Sequence, residues 1–88
     1  MRILVVDHDP ETLQQAIAQL GNLGFDATGT IDEGEAQGLF PGHDLLVLAS
    51  GVDEDIKATL TGAFPGPVAT PRSRRTLLKS VRHHILQG

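Results

Sequence analysis

The sequence contains no cysteine, no tryptophan and no tyrosine, and its aromatic side chains are Phe25, Phe40 and Phe64 alone. Without cysteine there are no disulfide staples and no thiolate metal sites, and the composition suits a reducing cytoplasm. With so few rings, little is available to stack on bases or sugars. Long apolar runs are missing as well. The longest, residues 3–6 and 45–49, fall far short of the ~20 residues a bilayer span requires. Met1-Arg2-Ile3 leads straight into strand-like sequence without a signal-peptide layout, so export is not expected. No glycine spacing matches a Walker or dinucleotide-binding loop. These absences argue against a secreted disulfide scaffold, a membrane protein and a single-strand nucleic-acid binder, and they point to a cytoplasmic chain.

What is present suits one small globular domain spanning residues 1–88, with 40% hydrophobic and 20% charged residues. The net charge of -4 conceals a split. All eleven acids lie between Asp7 and Asp55, where Arg2 is the sole preceding base. The remainder carries Lys57, Arg72, Arg74, Arg75, Lys79 and Arg82 and no acid. Such asymmetry fits either a partner surface or two halves that attract each other within one fold.

Ile3-Leu4-Val5-Val6 is a continuous apolar run, the pattern of a parallel strand buried on both faces. Asp9 then reads as an N-cap, Pro10 as the first helical residue and Glu11 as a first-turn acid. Leu13, Ala16, Ile17, Leu20 and Leu23 recur at helical spacing, and Gly24 is the expected C-cap glycine. Phe25, Ala27, Gly29 and Ile31 alternate with Asp26, Thr28 and Thr30, which predicts an edge strand with one wetter face. Asp32 opens a weak helix to Phe40, with Gly34 and Gly38 each costing ~1 kcal/mol against alanine. Asp44-Leu45-Leu46-Val47-Leu48-Ala49 is the second buried strand. A helical pattern then places Ile56, Leu60 and Phe64 at i, i+4 and i+8, started by Asp53-Glu54-Asp55 facing the macrodipole. After Pro65-Gly66-Pro67 comes a short strand, residues 68–70, and from Pro71 a basic amphipathic helix with an apolar stripe of Leu77, Leu78, Val81 and Ile85. Strands alternating with helices predict βαβ units, a parallel sheet and right-handed crossovers.

In this order the segments resemble a bacterial response-regulator receiver domain. The strand-acid-helix opening is residues 3–10, Leu23-Gly24-Phe25-Asp26-Ala27 is similar to the family's second strand, and Asp32-Glu33-Gly34-Glu35-Ala36 to its second helix start. Asp44-Leu45-Leu46-Val47-Leu48-Ala49 matches the third strand. Thr70-Pro71 followed by Leu77-Leu78-Lys79-Ser80-Val81-Arg82 resembles the Lys-Pro turn and final helix. The resemblance implies an α/β, three-layer flavodoxin- or receiver-like sandwich, short by about a strand and a helix, with a parallel sheet of about four strands in order 2-1-3-4. Residues 68–70 stand for either the family's fourth strand or its fifth.

The departures carry the functional expectation. Receivers hold Mg²⁺ between two acids after the first strand and a phospho-accepting Asp after the third, and Mg²⁺ demands hard oxygen ligands. Here Asp7 fills the first acidic position, but His8 stands at the second, and imidazole suits zinc or copper better. Ala49 occupies the acceptor position and Thr70 the phosphate-neutralising lysine position. The resemblance therefore implies no phospho-acceptor, no catalytic residue, no cofactor and no metal, and leaves Asp7, His8 and Asp9 as a residual acidic pocket. For Asp7 and Asp9, an N-cap and an acid facing the helix dipole is the favoured account over a residual cation site. Zinc on His8 and His43 lacks a cysteine or a His-x₃-His pair in support; adjacent His83 and His84 cannot easily share an ion; and Ser50 reads as a turn residue rather than a substitute acceptor.

The expected function is a stand-alone, non-enzymatic pseudo-receiver in two-component or phosphorelay signalling. Its partner is expected to be a histidine kinase, another regulator or a second copy in a homodimer. Arg72, Arg74, Arg75, Lys79 and Arg82 are its candidate interaction surface. The alternative is a regulatory nucleic-acid binder using that basic helix, which the acidic remainder and the lack of interleaved aromatics disfavour.

Overall fold

The computed structural model describes residues 1–49 and 51–70. The elements run β1 (Arg2–Val6), α1 (Pro10–Asn22), β2 (Asp26–Thr30), α2 (Glu33–Leu39), β3 (Leu45–Leu48), α3 (Glu54–Ala63) and β4 (Val68–Ala69). The four strands form one sheet in the order β2-β1-β3-β4, parallel throughout. This is the predicted α/β arrangement. The basic helix expected from Pro71, with its stripe and the candidate surface Arg72, Arg74, Arg75, Lys79 and Arg82, lies outside the described residues, as do Ser50, His83 and His84.

Period-two geometry divides the central strands between two cores. Ile3 and Val5 of β1 and Leu45 and Val47 of β3 join Leu13, Ala16 and Leu20 of α1 on one face. Leu4, Val6, Leu46 and Leu48 join Ala36, Phe40, Leu60 and Phe64 on the other. The sheet is thus the middle of three layers, with α1 on one side and α2 and α3 on the other. Phe40 and Phe64 meet edge-to-face at a centroid distance of 5.1 Å, closing the ends of α2 and α3 over the sheet. The strand pair is also clamped at its amino end. The Arg2 amide donates to Asp44 Oδ2 at 2.9 Å, and the Asp44 amide donates to the Arg2 carbonyl at 2.7 Å.

Several local expectations need correcting. Leu23 is not part of the buried stripe; it is the C-cap of α1 and is exposed, with Gly24 following at φ +90°. Alternation in β2 fails at its end. Thr30 is buried and Ile31 is half exposed, because pairing stops at Val6↔Thr30 and the chain turns there into the Asp32 cap. Val52 precedes α3 and is buried. Asp53 holds the N-cap position of α3 but makes no capping hydrogen bond. Asp44 precedes β3 and is exposed. No helix among the described residues is long and apolar enough to cross a membrane.

Two glycines make opposite demands. A Cβ on Gly29 would lie 2.6 Å from Leu13 Cδ1 and closer still to Ile17 Cδ1, so a side chain at position 29 would have to displace these side chains of α1. A Cβ on Gly38, in α2, would meet nothing within 4 Å. Chemical denaturation should therefore show Gly29→Ala losing about 1–3 kcal/mol through overpacking, and Gly38→Ala gaining about 0.4–1 kcal/mol from a stiffer unfolded chain. The same sign for both would contradict this packing of α1.

Candidate functional site

A parallel sheet sends every strand end to the same edge, where open α/β sheets bind ligands. Here that carboxyl edge gathers Asp7 after β1, Ile31 after β2, Ala49 after β3 and Thr70 after β4. The ladder continues one step past the strands. The Asp7 amide donates to the Thr30 carbonyl at 3.2 Å, and the Ala49 amide donates to the Val6 carbonyl at 3.0 Å. Asp7 and Ala49 are therefore neighbours across the β1–β3 pair.

Asp7 is 4% exposed. Its Oδ1 accepts the Asp9 amide at 3.1 Å and sits 4.0 Å from where a Cβ on Gly51 would be, so the turn after β3 passes close over the carboxylate. The Val52 amide closes that turn on the Ala49 carbonyl at 3.1 Å. Ala49 packs against the α2–α3 core and presents only a methyl group. His8 and Thr70 are exposed.

Asp9 is the N-cap the sequence predicts, with its carboxylate committed to α1. Oδ2 accepts the Thr12 hydroxyl at 2.7 Å and Oδ1 accepts the Glu11 amide at 3.1 Å. These bonds hold its carboxyl below the ordinary aspartate range, the Thr12 hydroxyl contributing most and the Glu11 amide next. Of the three residues read as an acidic pocket, Asp7 alone is buried at the edge. His8 is turned to solvent, and Asp9 is both a cap and an exposed charge.

His43 lies at the opposite edge. It precedes β3, whereas His8 follows β1, and parallel strands rising about 3.3 Å per residue separate the two by the length of the sheet. Its Nδ1 bonds the Leu39 carbonyl at the end of α2. Zinc shared by His8 and His43 is thereby excluded. Among the described residues no three His, Cys, Asp or Glu side chains come together as a metal site. Asp7 beside a methyl and an exposed imidazole does not fit the oxygen donor set that Mg²⁺ requires.

Thr30 and Ile31 belong to this edge and were not among the candidate residues. The Thr30 hydroxyl accepts the Asp32 amide at 3.1 Å, so its polar group is satisfied inside a turn. A threonine two residues before a helix-capping aspartate is the available sequence signal for such a turn. The exposure of Ile31 follows from that turn.

The Asp9 geometry sets a pH dependence. A carboxyl whose folded pKa lies below its unfolded value adds stability that is complete above the unfolded value, 3.8, and is lost as pH falls through the folded one. Between pH 5 and about pH 2.5 the melting temperature of the wild type should fall more steeply than that of Asp9→Asn, which keeps a capping oxygen without titrating. Parallel curves would remove the assignment.

A scan against protein-family models and a search of the curated proteins found no match to this chain.

Proposed function

We propose that the chain is a pseudo-receiver: a non-enzymatic, cytoplasmic interaction module of two-component or phosphorelay signalling that accepts no phosphate. The observation that carries this reading is the position of Ala49, next to the buried Asp7 across the β1–β3 pair at the carboxyl edge. In a receiver-like sheet that place belongs to the acceptor carboxylate. A methyl there supplies no nucleophile. The strand order 2-1-3-4, with Val68–Ala69 in the place next to β3, is in keeping with a shortened receiver. The partner is a signalling protein, such as a histidine kinase or another regulator, or a second copy of the chain.

Incubation with acetyl phosphate and Mg²⁺ should leave the intact mass unchanged, and calorimetric binding to a histidine kinase's phosphotransfer helices should be the same with and without the phosphodonor. A hydroxylamine-labile phosphoryl adduct, or an affinity that depends on the donor, overturns the proposal. Ala49→Asp alone should remain slow to phosphorylate. Combining it with His8→Asp and Thr70→Lys should raise the rate about a hundredfold, because the added groups stabilise the transferred charge. Equal rates for the single and triple variants would refute the alignment of these positions.

A further inference from the structure

We propose that β2 is a docking edge for a second copy of this chain, the two β2 strands pairing antiparallel about a two-fold axis at Thr28 to make one continuous sheet. This deepens the reading of the chain as an interaction module, on which it rests, by naming the partner and the surface it meets.

β2 ends the sheet, and among the described residues no strand lies beyond it. Its backbone groups are divided between two sides. The Asp26 amide donates to the Met1 carbonyl, and the Thr30 carbonyl accepts the Asp7 amide. In a parallel ladder alternate residues turn both backbone groups to one neighbour. Asp26, Thr28 and Thr30 therefore serve β1, while the amides and carbonyls of Ala27 and Gly29 point outward. Such a row is a template for another strand unless lysine, proline or a bulge protects it. β2 has none of these: it reads Asp-Ala-Thr-Gly-Thr, and its register with β1 runs unbroken. The opposite edge is blunted, because β4 has two residues and follows Pro67.

The occupant that fits this edge is the same strand reversed. Ala27 and Gly29 stand on either side of Thr28, so a reversed copy sets Ala27 against Gly29 and Gly29 against Ala27. Each pair then exchanges both of its hydrogen bonds, the self-complementarity that a two-fold interface demands. The same register sets Ile31, half of whose surface is exposed, across from Phe25 of the second copy.

Charge selects the same side of the molecule. From Thr12 to Ile31 the only charged residue is Asp26, which forms an ion pair of 3.5 Å with Arg2. Asp7, Asp9 and Glu11 come before that stretch, and Asp32, Glu33 and Glu35 after it. Two chains of net charge -4 repel each other and approach best through an uncharged side. A basic partner would be drawn to the acids instead. α1 widens the uncharged surface. Its Leu13 and Ile17 bear on Gly29, and at about 100° per residue the turn that leads from Leu13 to Ile17 goes on to Gly21, Gln14 and Ala18. All three are exposed, and they leave room for the α1 of the second copy, which the axis places on the same face of the sheet. Antiparallel pairing also sets the end of one β2, where Asp32 and Glu33 follow, beside the start of the other, where the Arg2 side chain is 55% exposed. Parallel pairing would set acids against acids.

Light scattering over a concentration series should give a dimer that persists or tightens between about 0.05 M and about 0.5 M salt, because screening relieves repulsion between like-charged chains. Thr28→Lys sets two ammonium groups against each other at the axis, and Thr28→Glu two carboxylates. Each should weaken the dimer about 30-fold or more. An equimolar mixture of the two should recover a heterodimer, since lysine then faces glutamate. Ala27→Pro removes an outward amide and no bond to β1, and should weaken the dimer about tenfold or more. The Thr28 variants carry the decision where Ala27→Pro fails to fold. A wild type that stays monomeric at high micromolar concentration overturns the proposal, as does a dimer that the Thr28 variants leave intact. So does a mixture of those variants that stays monomeric, or dissociation of the wild type in high salt, which would place the contact on the charged surfaces. No phosphodonor or kinase enters these measurements. Their failure leaves the phosphate-inert reading standing, and phosphate uptake would defeat that reading without touching this one.

Discussion

Everything in this structure depends on the burial of β1 and β3 from both sides. Two adjacent parallel strands with no solvent face must be apolar at every position, and residues 3–6 and 45–48 are. Because they are parallel, the connection between them has to cross over the sheet. Parallel pairing also aligns both carboxyl ends at one edge, where the apolar run ends and polar chemistry can begin. Asp7 and Ala49 are neighbours for that reason, though 42 positions apart in the chain.

The same constraint explains what was legible in the sequence. Continuous apolar runs announce doubly buried strands. Asp9-Pro10-Glu11 announces a helix start in three independent ways, and the cap geometry has Asp9 bonded to the Glu11 amide and the Thr12 hydroxyl. The order 2-1-3-4, which the resemblance implied, is the order of the sheet. These signals are local in origin and strong because burial leaves no choice.

The less legible parts lie where burial is partial. Alternation in residues 25–31 describes a strand but does not say where pairing stops, and stopping at Thr30 reverses the exposure of the last two residues. The acids at the start of α3 suit the macrodipole wherever their side chains point, so composition could not reveal that Asp53 leaves its amides uncapped. His8 and His43 are close to strands that pair with one another, and only the parallel direction shows that they occupy opposite ends. At the carboxyl edge, residue types grouped Asp7 with His8 and Asp9, but did not show that Asp7 is buried while the other two are exposed.

The methyl of Ala49 beside Asp7 also sets the electrostatics of this edge. Two carboxylates facing each other repel, and a cation between them resolves the repulsion. Across the β1–β3 pair Asp7 faces a methyl and no second carboxylate, so that repulsion, and the demand for a hard divalent ion that comes with it, is absent at this point. A single negative charge in a low-dielectric recess is better matched by one ammonium or guanidinium group, which brings its own hydrogen-bond donors. A methyl at position 49 beside a buried Asp7 thus leaves this edge with one carboxylate across the β1–β3 pair rather than two.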